Sequence, residues 1–438
     1  MSQVKLTLPP SWSSDQDALV ALLKQKGTGK KMSVPLAADA LTQLTHLLQS
    51  QDCLLVTKVT LLTALLALEK SPDEAAFLDH FQAQPLPATL SWLFRPPSQA
   101  IEHCIQTLIQ GNDLAHDDMS QAMSWITQTD VPEYYKAAIL EALRLKGESL
   151  SENQVCLSHF RTLSRFSSVN TSHLIEIANA YDGLNRHHCF WPFLAPILAS
   201  MGHPVLLHGT HQCGPKFGVT PEQVFEQAGP FHPPSISDVC QRLEDPGIGW
   251  AYLSQQEFSP DLHALKSLRI QMVKRPLLST LEKLLLPIRH DHHYLLTSYT
   301  HPAYQGLLSQ LFQQEFPHCN ILLVRGQEGS VQLRLDRRVH YTHLQGAHHR
   351  DDFVDTSQFE MGPYDKILPD FSLSARDHFE AGVSALTGTP SPFQDALIYQ
   401  CRFLLTQWGL GDDETVTAQL HEVLNNGKAH AHFLAGLS

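Results

Sequence analysis

The fold of this chain is most constrained by two short apolar runs, each of which ends in a polar loop that contains glycine. The first run leads into Tyr181-Asp182-Gly183-Leu184-Asn185-Arg186, and the second leads into His208-Gly209-Thr210. An amphipathic stretch lies between them, so the pattern predicts a strand, a loop, a helix, a strand and a second loop. Loop amides and a helix N-terminus in this order form a binding site for an anion.

Length and composition bound the architecture and the class of partner. The chain has 438 residues, 43% of them hydrophobic, and a formal net charge of −13. This length predicts two or three domains, and the negative charge disfavours nonspecific binding to nucleic acid or anionic lipid. No apolar run is long enough to span a bilayer, so we expect no membrane partner. The cysteines lack CxxC pairs, which favours free thiols and a cytoplasmic protein.

The spacing of apolar residues changes along the chain and predicts three parts. Residues 1–97 form an N-terminal helical extension, 98–168 a helical domain joined in space by about 259–288, and 169–438 an α/β domain. Helical patterns separate most of the β-rich runs, which favours an α/β fold with a central mixed sheet. These runs are 174–178, 205–207, 294–299, 320–324 and 331–335.

Two local signals concern helix ends. Ser149 and Glu152 have the spacing of a capping box and predict the start of a helix. The tail 410–437 is predicted to be helical, with a break at Gly427.

Two short elements, His208-Gly209 and Asn426-Gly427-Lys428-Ala429, occur in order between Ile101 and the C-terminus. They resemble the Lys-His-Gly-Asn and the terminal Ser-Gly-Lys-Ala of the anthranilate phosphoribosyltransferase family, which is glycosyltransferase family 3. The resemblance implies a class IV phosphoribosyltransferase fold, with a small helical domain and an α/β domain. It also implies a homodimer, a ligand in the cleft between the domains, and a relation to tryptophan biosynthesis.

Three elements on which the family's chemistry depends are changed in this chain. The Gly-Thr-Gly-Gly-Asp loop, whose bare amides approach a diphosphate, aligns with Asn179-Ala180-Tyr181-Asp182-Gly183. The Asn-x-Ser-Thr element, which holds the ribose phosphate, aligns with Cys189-Phe190-Trp191-Pro192. The Asp-Glu pair that holds Mg²⁺ aligns with Val331-Gln332. The resemblance thus implies loss of the standard reaction of Mg²⁺ and phosphoribosyl diphosphate (PRPP), with Mg²⁺ a cofactor only if transferase activity is retained.

The candidate ligand-binding residues come from the two loops and from one arginine. Loop amides and the Arg186 side chain are expected to bind a phosphate or carboxylate. The alternative is an ordinary strand–helix turn, with Asp182-Gly183 chosen for backbone geometry. By resemblance, Arg269 matches an arginine that contacts the anthranilate carboxylate; the alternative is a solvated basic face. The full set is Tyr181, Asp182, Gly183, Asn185, Arg186, His208, Gly209, Thr210 and Arg269.

Three functions stay open on the sequence. The first is a protein with the transferase fold that binds an anionic ligand, such as a phosphate, a ribosyl phosphate or an aromatic acid. The second is an active phosphoribosyl or glycosyl transferase, a pentosyltransferase with an altered substrate. The third is nucleic-acid binding, because the Tyr-Asp-Gly-x-Asn-Arg loop and Arg325-Gly326-Gln327-Glu328-Gly329 resemble a transferase-related branch that binds nucleic acid. The charge of −13 disfavours this third function.

Overall fold

The computed structural model describes residues 11–27, 29, 32–364 and 374–438. The chain divides into two compact units, one of Met1–Thr162 with Ala264–Leu281 and one of Leu163–His263 with Glu282–Ser438. The first unit is helical and the second contains the large sheet. The predicted fold class, helical parts followed by an α/β domain with a mixed sheet, is confirmed, whereas the boundary at residue 97 stays a prediction.

The secondary structure gives the frame for the site. The α-helices are α1 Ser14–Lys26, α2 Ala38–Gln49, α3 Leu55–Ala67, α4 Pro72–Gln82, α5 Ala88–Ser91, α6 Ala100–Ile109, α7 His116–Thr127, α8 Glu133–Lys146, α9 Leu150–Leu163, α10 Leu194–Ser200, α11 Pro221–Phe225, α12 Ile236–Glu244, α13 Gln255–Phe258, α14 Pro260–Ala264, α15 Lys266–Met272, α16 Leu278–Leu281, α17 Ala303–Glu315, α18 Ala375–Leu386, α19 Pro392–Gln407, α20 Asp413–Asn425 and α21 Lys428–Leu437. The strands are β1 Ser167–Ser168, β2 Leu174–Ala178, β3 Val205–Gly209, β4 Trp250–Ser254, β5 Ile288–Arg289, β6 His293–Ser298, β7 Asn320–Val324, β8 Val339–Gln345 and β9 His348–Val354.

The helical unit contains a buried ion pair between helices that are far apart in sequence. Nζ of Lys26 in α1 lies 2.8 Å from Oε2 of Glu74 in α4, and both side chains are buried. Glu74 also accepts backbone hydrogen bonds from Leu36 and Ser71. Burial opposes ionisation of this carboxyl, but the hydrogen bonds from Lys26 and the backbone outweigh it and lower the pKa.

Both predicted helix-end signals are confirmed. The backbone N–H of Ser149 donates to Oε2 of Glu152 at 2.8 Å, and the N–H of Glu152 donates to Oγ of Ser149 at 3.3 Å. These reciprocal bonds satisfy N–H groups that the first turn of α9 leaves without helical partners. The C-terminal tail is broken at Gly427, which has φ +77° between α20 and α21.

The sheet of the second unit positions the two loops of interest. Its strand order is β4-β3-β2-β6-β7-β8-β9. The first five strands in this order are parallel to one another, whereas β8 pairs antiparallel with β7, and β9 pairs antiparallel with β8. All residues of β2, β3, β4 and β7 are buried, as expected for parallel strands covered on both faces. The carboxyl ends of β2 and β3 lie at one edge, so the loops that follow them are neighbours.

The predicted strand at 331–335 is wrong: this segment is a buried loop. Side-chain amides satisfy its backbone instead of a neighbouring strand. Oδ1 of Asn179 accepts from the N–H of Val331 at 2.9 Å, and Oε1 of Gln400 accepts from the N–H of Leu333 at 2.9 Å. Nε2 of Gln400 donates to the carbonyl of Val331 at 2.8 Å. The apolar run therefore predicted burial correctly, but it did not predict which groups form hydrogen bonds with the backbone.

Within the described ranges, no helix combines the length and the apolar character required to cross a membrane.

Two helical glycines test how tightly the second unit is packed. In α18, a Cβ on Gly382 would lie 2.0 Å from Cζ of the buried Phe193 ring, whereas a Cβ on Gly306 in α17 would meet nothing within 4 Å. We expect Gly382→Ala to lower the free energy of unfolding by about 1–3 kcal/mol through overpacking. Gly306→Ala should raise it by up to about 1 kcal/mol through helix propensity. Urea denaturation of the two variants checks this, and stabilisation by Gly382→Ala would contradict the packing.

Candidate functional site

The loop after β2 is shaped by a close approach of a second backbone segment. Gly183 has φ +70°, and a Cβ on it would lie 2.4 Å from the carbonyl oxygen of Gly218. The N–H of Leu184 donates to Val219 at 3.1 Å, and the N–H of Val219 donates back to Leu184 at 2.7 Å. Backbone geometry therefore accounts for glycine at position 183.

The amides that follow Gly183 bind a carboxylate that the protein itself supplies. Oε1 of Glu328 accepts from the N–H of Arg186 at 2.7 Å and lies 3.0 Å from Nδ1 of His187. Oε2 lies 2.7 Å from Nζ of Lys216 and accepts a longer bond, 3.4 Å, from the N–H of Asn185. The anion site predicted at this loop thus has an internal occupant in the structure.

The electrostatics of Glu328 follow from its surroundings. Its side chain is fully buried. Burial opposes ionisation, but the hydrogen bonds from His187 and Lys216 and the nearby Lys216 charge lower its pKa to about 2. The residue itself has φ +53°, a left-handed conformation that is costly for a side chain other than glycine. Several favourable contacts therefore hold one carboxylate in a strained backbone position.

A second set of donors is satisfied by Gln332. Its Oε1 accepts from the N–H of Phe190 at 2.7 Å and from the N–H of Trp191 at 3.1 Å. Its Nε2 donates to the carbonyl of His188 at 2.8 Å and to Oε1 of Gln327 at 3.2 Å. Phe190 and Trp191 start the short 3₁₀ helix Trp191–Phe193 that leads into α10. By resemblance this segment is where the ribose phosphate would be held, and here the neutral side-chain amide of Gln332 caps its N–H groups.

A chain of buried polar side chains crosses three neighbouring parallel strands. Oη of Tyr181 lies 2.5 Å from Nδ1 of His208 in β3, and Nε2 of His208 lies 3.1 Å from Oε1 of Glu176 in β2. Nε2 of His293 in β6 lies 3.2 Å from Oε2 of Glu176, in ion-pair contact but outside hydrogen-bond geometry. Tyr181 also donates to the carbonyl of Glu282 at 3.1 Å. These hydrogen-bonded side chains fix the start of both candidate loops.

Glu176 is the charged centre of this row of buried polar side chains. Its complete burial would raise the pKa, but the contacts with His208 and His293 outweigh burial and lower it to about 2. Ionised glutamate in the middle of an apolar strand is stabilised only because partners surround it.

The structure separates the predicted site residues into two groups. Tyr181, Asp182, Gly183, His208 and Thr210 are buried. Gly209 ends β3, and a Cβ there would lie 3.2 Å from the hydroxyl of Tyr252. The side chain of Arg186 is 73% exposed, with Nε 3.7 Å from Glu328, and Asn185 is also exposed. Arg269 is buried in α15 of the helical unit, so the solvated basic face is not its environment.

Several residues of this region were not among the predicted site residues. Glu176 had a signal, since a carboxylate in the run Leu174-Ile175-Glu176-Ile177 needs a buried partner. His293, Lys216 and Gln332 gave no local signal, because their partners lie far away along the chain. Across the residues that the structure describes, no group of three or more His, Cys, Asp and Glu side chains is arranged to hold a metal ion.

Comparisons with known proteins bear on the origin of this arrangement. Residues 102–161 match the family model described as "Glycosyl transferase family, helical bundle domain". The anthranilate phosphoribosyltransferase of Chromobacterium violaceum is 24% identical over 303 residues, covering 67% of this chain and 84% of that protein. The chain is thus similar in sequence to anthranilate phosphoribosyltransferases. The uncharacterized protein YbiB of Escherichia coli is 26% identical over 223 residues, covering 50% of this chain and 67% of that protein.

Solved structures of the family share the fold. The Thermus thermophilus anthranilate phosphoribosyltransferase has a TM-score of 0.63 at 18% identity and covers 76% of this chain and 98% of its own. The Saccharomyces cerevisiae enzyme in complex with PRPP and Mg has a TM-score of 0.65 at 13% identity, with coverage of 78% and 98%.

The buried carboxylate of Glu176 should make the stability of the protein depend on pH in the acid range. Glu176 has a pKa of about 2 in the folded chain against an ordinary value of 4.5. Its contribution to stability, about 3 kcal/mol, is present above pH 4.5 and is lost as the pH falls towards 2. Glu176→Gln should therefore lower the free energy of unfolding at pH 7 and make it depend less on pH between 4.5 and 2. Glu328 continues to contribute in the same window, so part of the slope should remain.

Urea denaturation at pH 7, 5, 4 and 3 measures this dependence. Glu380→Gln on the exposed face of α18 serves as a control and should resemble the wild type. An unchanged slope in Glu176→Gln would show that the carboxylate does not carry the effect.

Proposed function

We propose that this chain is a binding protein built on the transferase fold, which does not carry out Mg²⁺-dependent transfer from PRPP. Its ligand is a small anion, a phosphate, ribosyl phosphate or aromatic acid, bound at the Asn185–Arg186 loop of the α/β unit. One observation carries the proposal: Glu328 already satisfies the N–H groups of the loop predicted to bind an anion, and Gln332 satisfies those of the segment that aligns with the ribose-phosphate element.

The residues at the metal position do not fit Mg²⁺. Mg²⁺ prefers carboxylate oxygens in near-octahedral geometry. Val331 provides none, and the side-chain oxygen of Gln332 accepts two backbone hydrogen bonds. Recruiting Gln332 to a metal would release the N–H groups of Phe190 and Trp191, each at the cost of an unsatisfied buried donor.

The charges around the loop support binding of an anion. Arg186, His187 and Lys216 surround the single carboxylate of Glu328, so the two permanent cations exceed the one negative charge. Arg186 presents its guanidinium to solvent, where it can pair with a phosphate or carboxylate in bidentate fashion. The ligand adds to the exposed guanidinium of Arg186, while Glu328 remains on the backbone N–H groups.

Calorimetry with PRPP, with and without Mg²⁺, separates this proposal from an active transferase. We expect no Mg²⁺-dependent heat and no transfer to anthranilate. The Saccharomyces cerevisiae enzyme, solved in complex with PRPP and Mg, is the positive control. Tight binding that requires Mg²⁺ would favour the transferase with an altered substrate.

Two substitutions test the anion site with inorganic phosphate as the probe. Arg186→Ala should weaken binding by about threefold to tenfold. Glu328→Gln should strengthen it by a similar factor, because it removes the competing negative charge. Arg376→Ala, an exposed arginine on α18 that pairs with Glu380, is the matched control and should bind as the wild type does. Equal affinity in all four proteins would refute the site.

Nucleic-acid binding has weaker support. Arg325, Arg337 and Arg338 are exposed, and Arg338 lies 4.4 Å from the centre of the Phe353 ring. Arg334, however, is bonded to Asp336 through two nitrogens, and the acidic residues of β9 lie beside Phe353. A gel shift in a salt series decides this: we expect no binding at 150 mM salt, about physiological strength. Strong binding that weakens steeply with salt would favour the nucleic-acid function.

A further inference from the structure

A cavity of ≈ 280 Å³ lies in the α/β unit next to the loop that carries Glu328. Its walls are mainly apolar and include Phe190, Leu333, Leu335, Phe393 and Ala396. Small-molecule sites are concave, mostly apolar and equipped with a few polar groups. The volume is close to the lower end of such sites, about 300 Å³, so it suits a single ring or a small fused ring system.

The aromatic side chains of the wall are arranged to contact another ring. The ring of Phe393, near the start of α19, contacts two neighbouring rings. Its centre lies 6.2 Å from that of Phe190, with an angle of 74° between the ring planes, and 5.8 Å from that of His188, with an angle of 72°. These edge-to-face contacts are the geometry that aromatic groups prefer. A planar ring that enters the cavity can extend the cluster with contacts of the same kind.

The polar groups of the wall carry little net charge. Burial, reinforced by the neighbouring His378, lowers the pKa of His188 to about 4, so its imidazole is neutral at pH 7. The carboxylate of Asp336 is bonded to Nε and an Nη of Arg334 at 2.8 and 2.7 Å. His187 also lines the cavity, but its Nδ1 contacts Glu328. An ion entering this cavity would lose its hydration without gaining an unpaired counter-charge.

We propose that this cavity binds an uncharged planar aromatic or heteroaromatic molecule, packed against the rings of Phe190 and Phe393 and hydrogen-bonded by neutral groups of the wall. The imidazole of His188 and the hydroxyl groups of Ser384 and Ser391 supply the polar contacts. This site is separate from the anion site of the Asn185–Arg186 loop and does not depend on it.

Three probes of matched shape test the charge preference at pH 7: neutral benzamide, anionic benzoate and cationic benzylamine. We expect benzamide to bind with a dissociation constant below about 10 mM, measured by ligand-observed NMR, and the two ions to bind at least about tenfold more weakly in the cavity. Repeating the benzoate titration with Arg186→Ala removes any contribution from the anion site. Absence of benzamide binding, or equal binding of benzoate in the Arg186→Ala protein, would overturn the proposal.

Two substitutions that fill the cavity from different helices test its location. Ala396→Phe in α19 and Ser384→Leu in α18 should each weaken benzamide binding at least about tenfold. Glu380→Leu, on the exposed face of α18 outside the cavity, should leave it unchanged. A crystal soaked with benzamide locates the ring without any substitution. Density elsewhere, or full affinity in both filled variants, would show that the cavity is not the site.

Discussion

The contact between Glu328 and the loop that begins at Gly183 is the interaction on which the rest of the site depends. The carboxylate receives donors from the N–H of Arg186, from His187 and from Lys216, and it stays ionised although it is buried. The backbone of Glu328 adopts φ +53° to deliver it. A strained backbone conformation persists only where several contacts hold it in place. The charge-assisted hydrogen bonds of this buried carboxylate are such contacts.

The same principle applies at the neighbouring helix start. Gln332 takes over the N–H groups of Phe190 and Trp191, and Val331 is tied to Asn179. The chain is similar to anthranilate phosphoribosyltransferases, and the yeast enzyme solved with PRPP and Mg shares its fold. In this chain Gln332 satisfies the N–H groups of Phe190 and Trp191 from within, in the segment that aligns with the family's Asn-x-Ser-Thr element. A polar group that is already satisfied gains little from a ligand that would replace its partner.

Apolar patterning predicted much of the fold but little of the site. The strands β2, β3 and β7 were predictable because short buried runs end at polar loops, and the helices of the first unit were predictable from their period. The segment 331–335 has the same apolar pattern but bonds to the side-chain amides of Asn179 and Gln400. Glu328 and Gln332 contact residues about 140 positions away, so no local pattern could identify their partners. The sequence of strand β9 is polar until its last two residues, Phe353 and Val354, so it carried little apolar signal.

A crystal structure of the protein grown with PRPP and Mg²⁺ shows directly whether these internal contacts exclude the substrate. We expect the Glu328 carboxylate to remain on the N–H of Arg186, Gln332 still to cap Phe190 and Trp191, and no Mg²⁺ to be bound by Val331-Gln332. A diphosphate on these N–H groups, with Mg²⁺ coordinated beside it, would show that the internal contacts yield to the substrate and that the site is not closed to it.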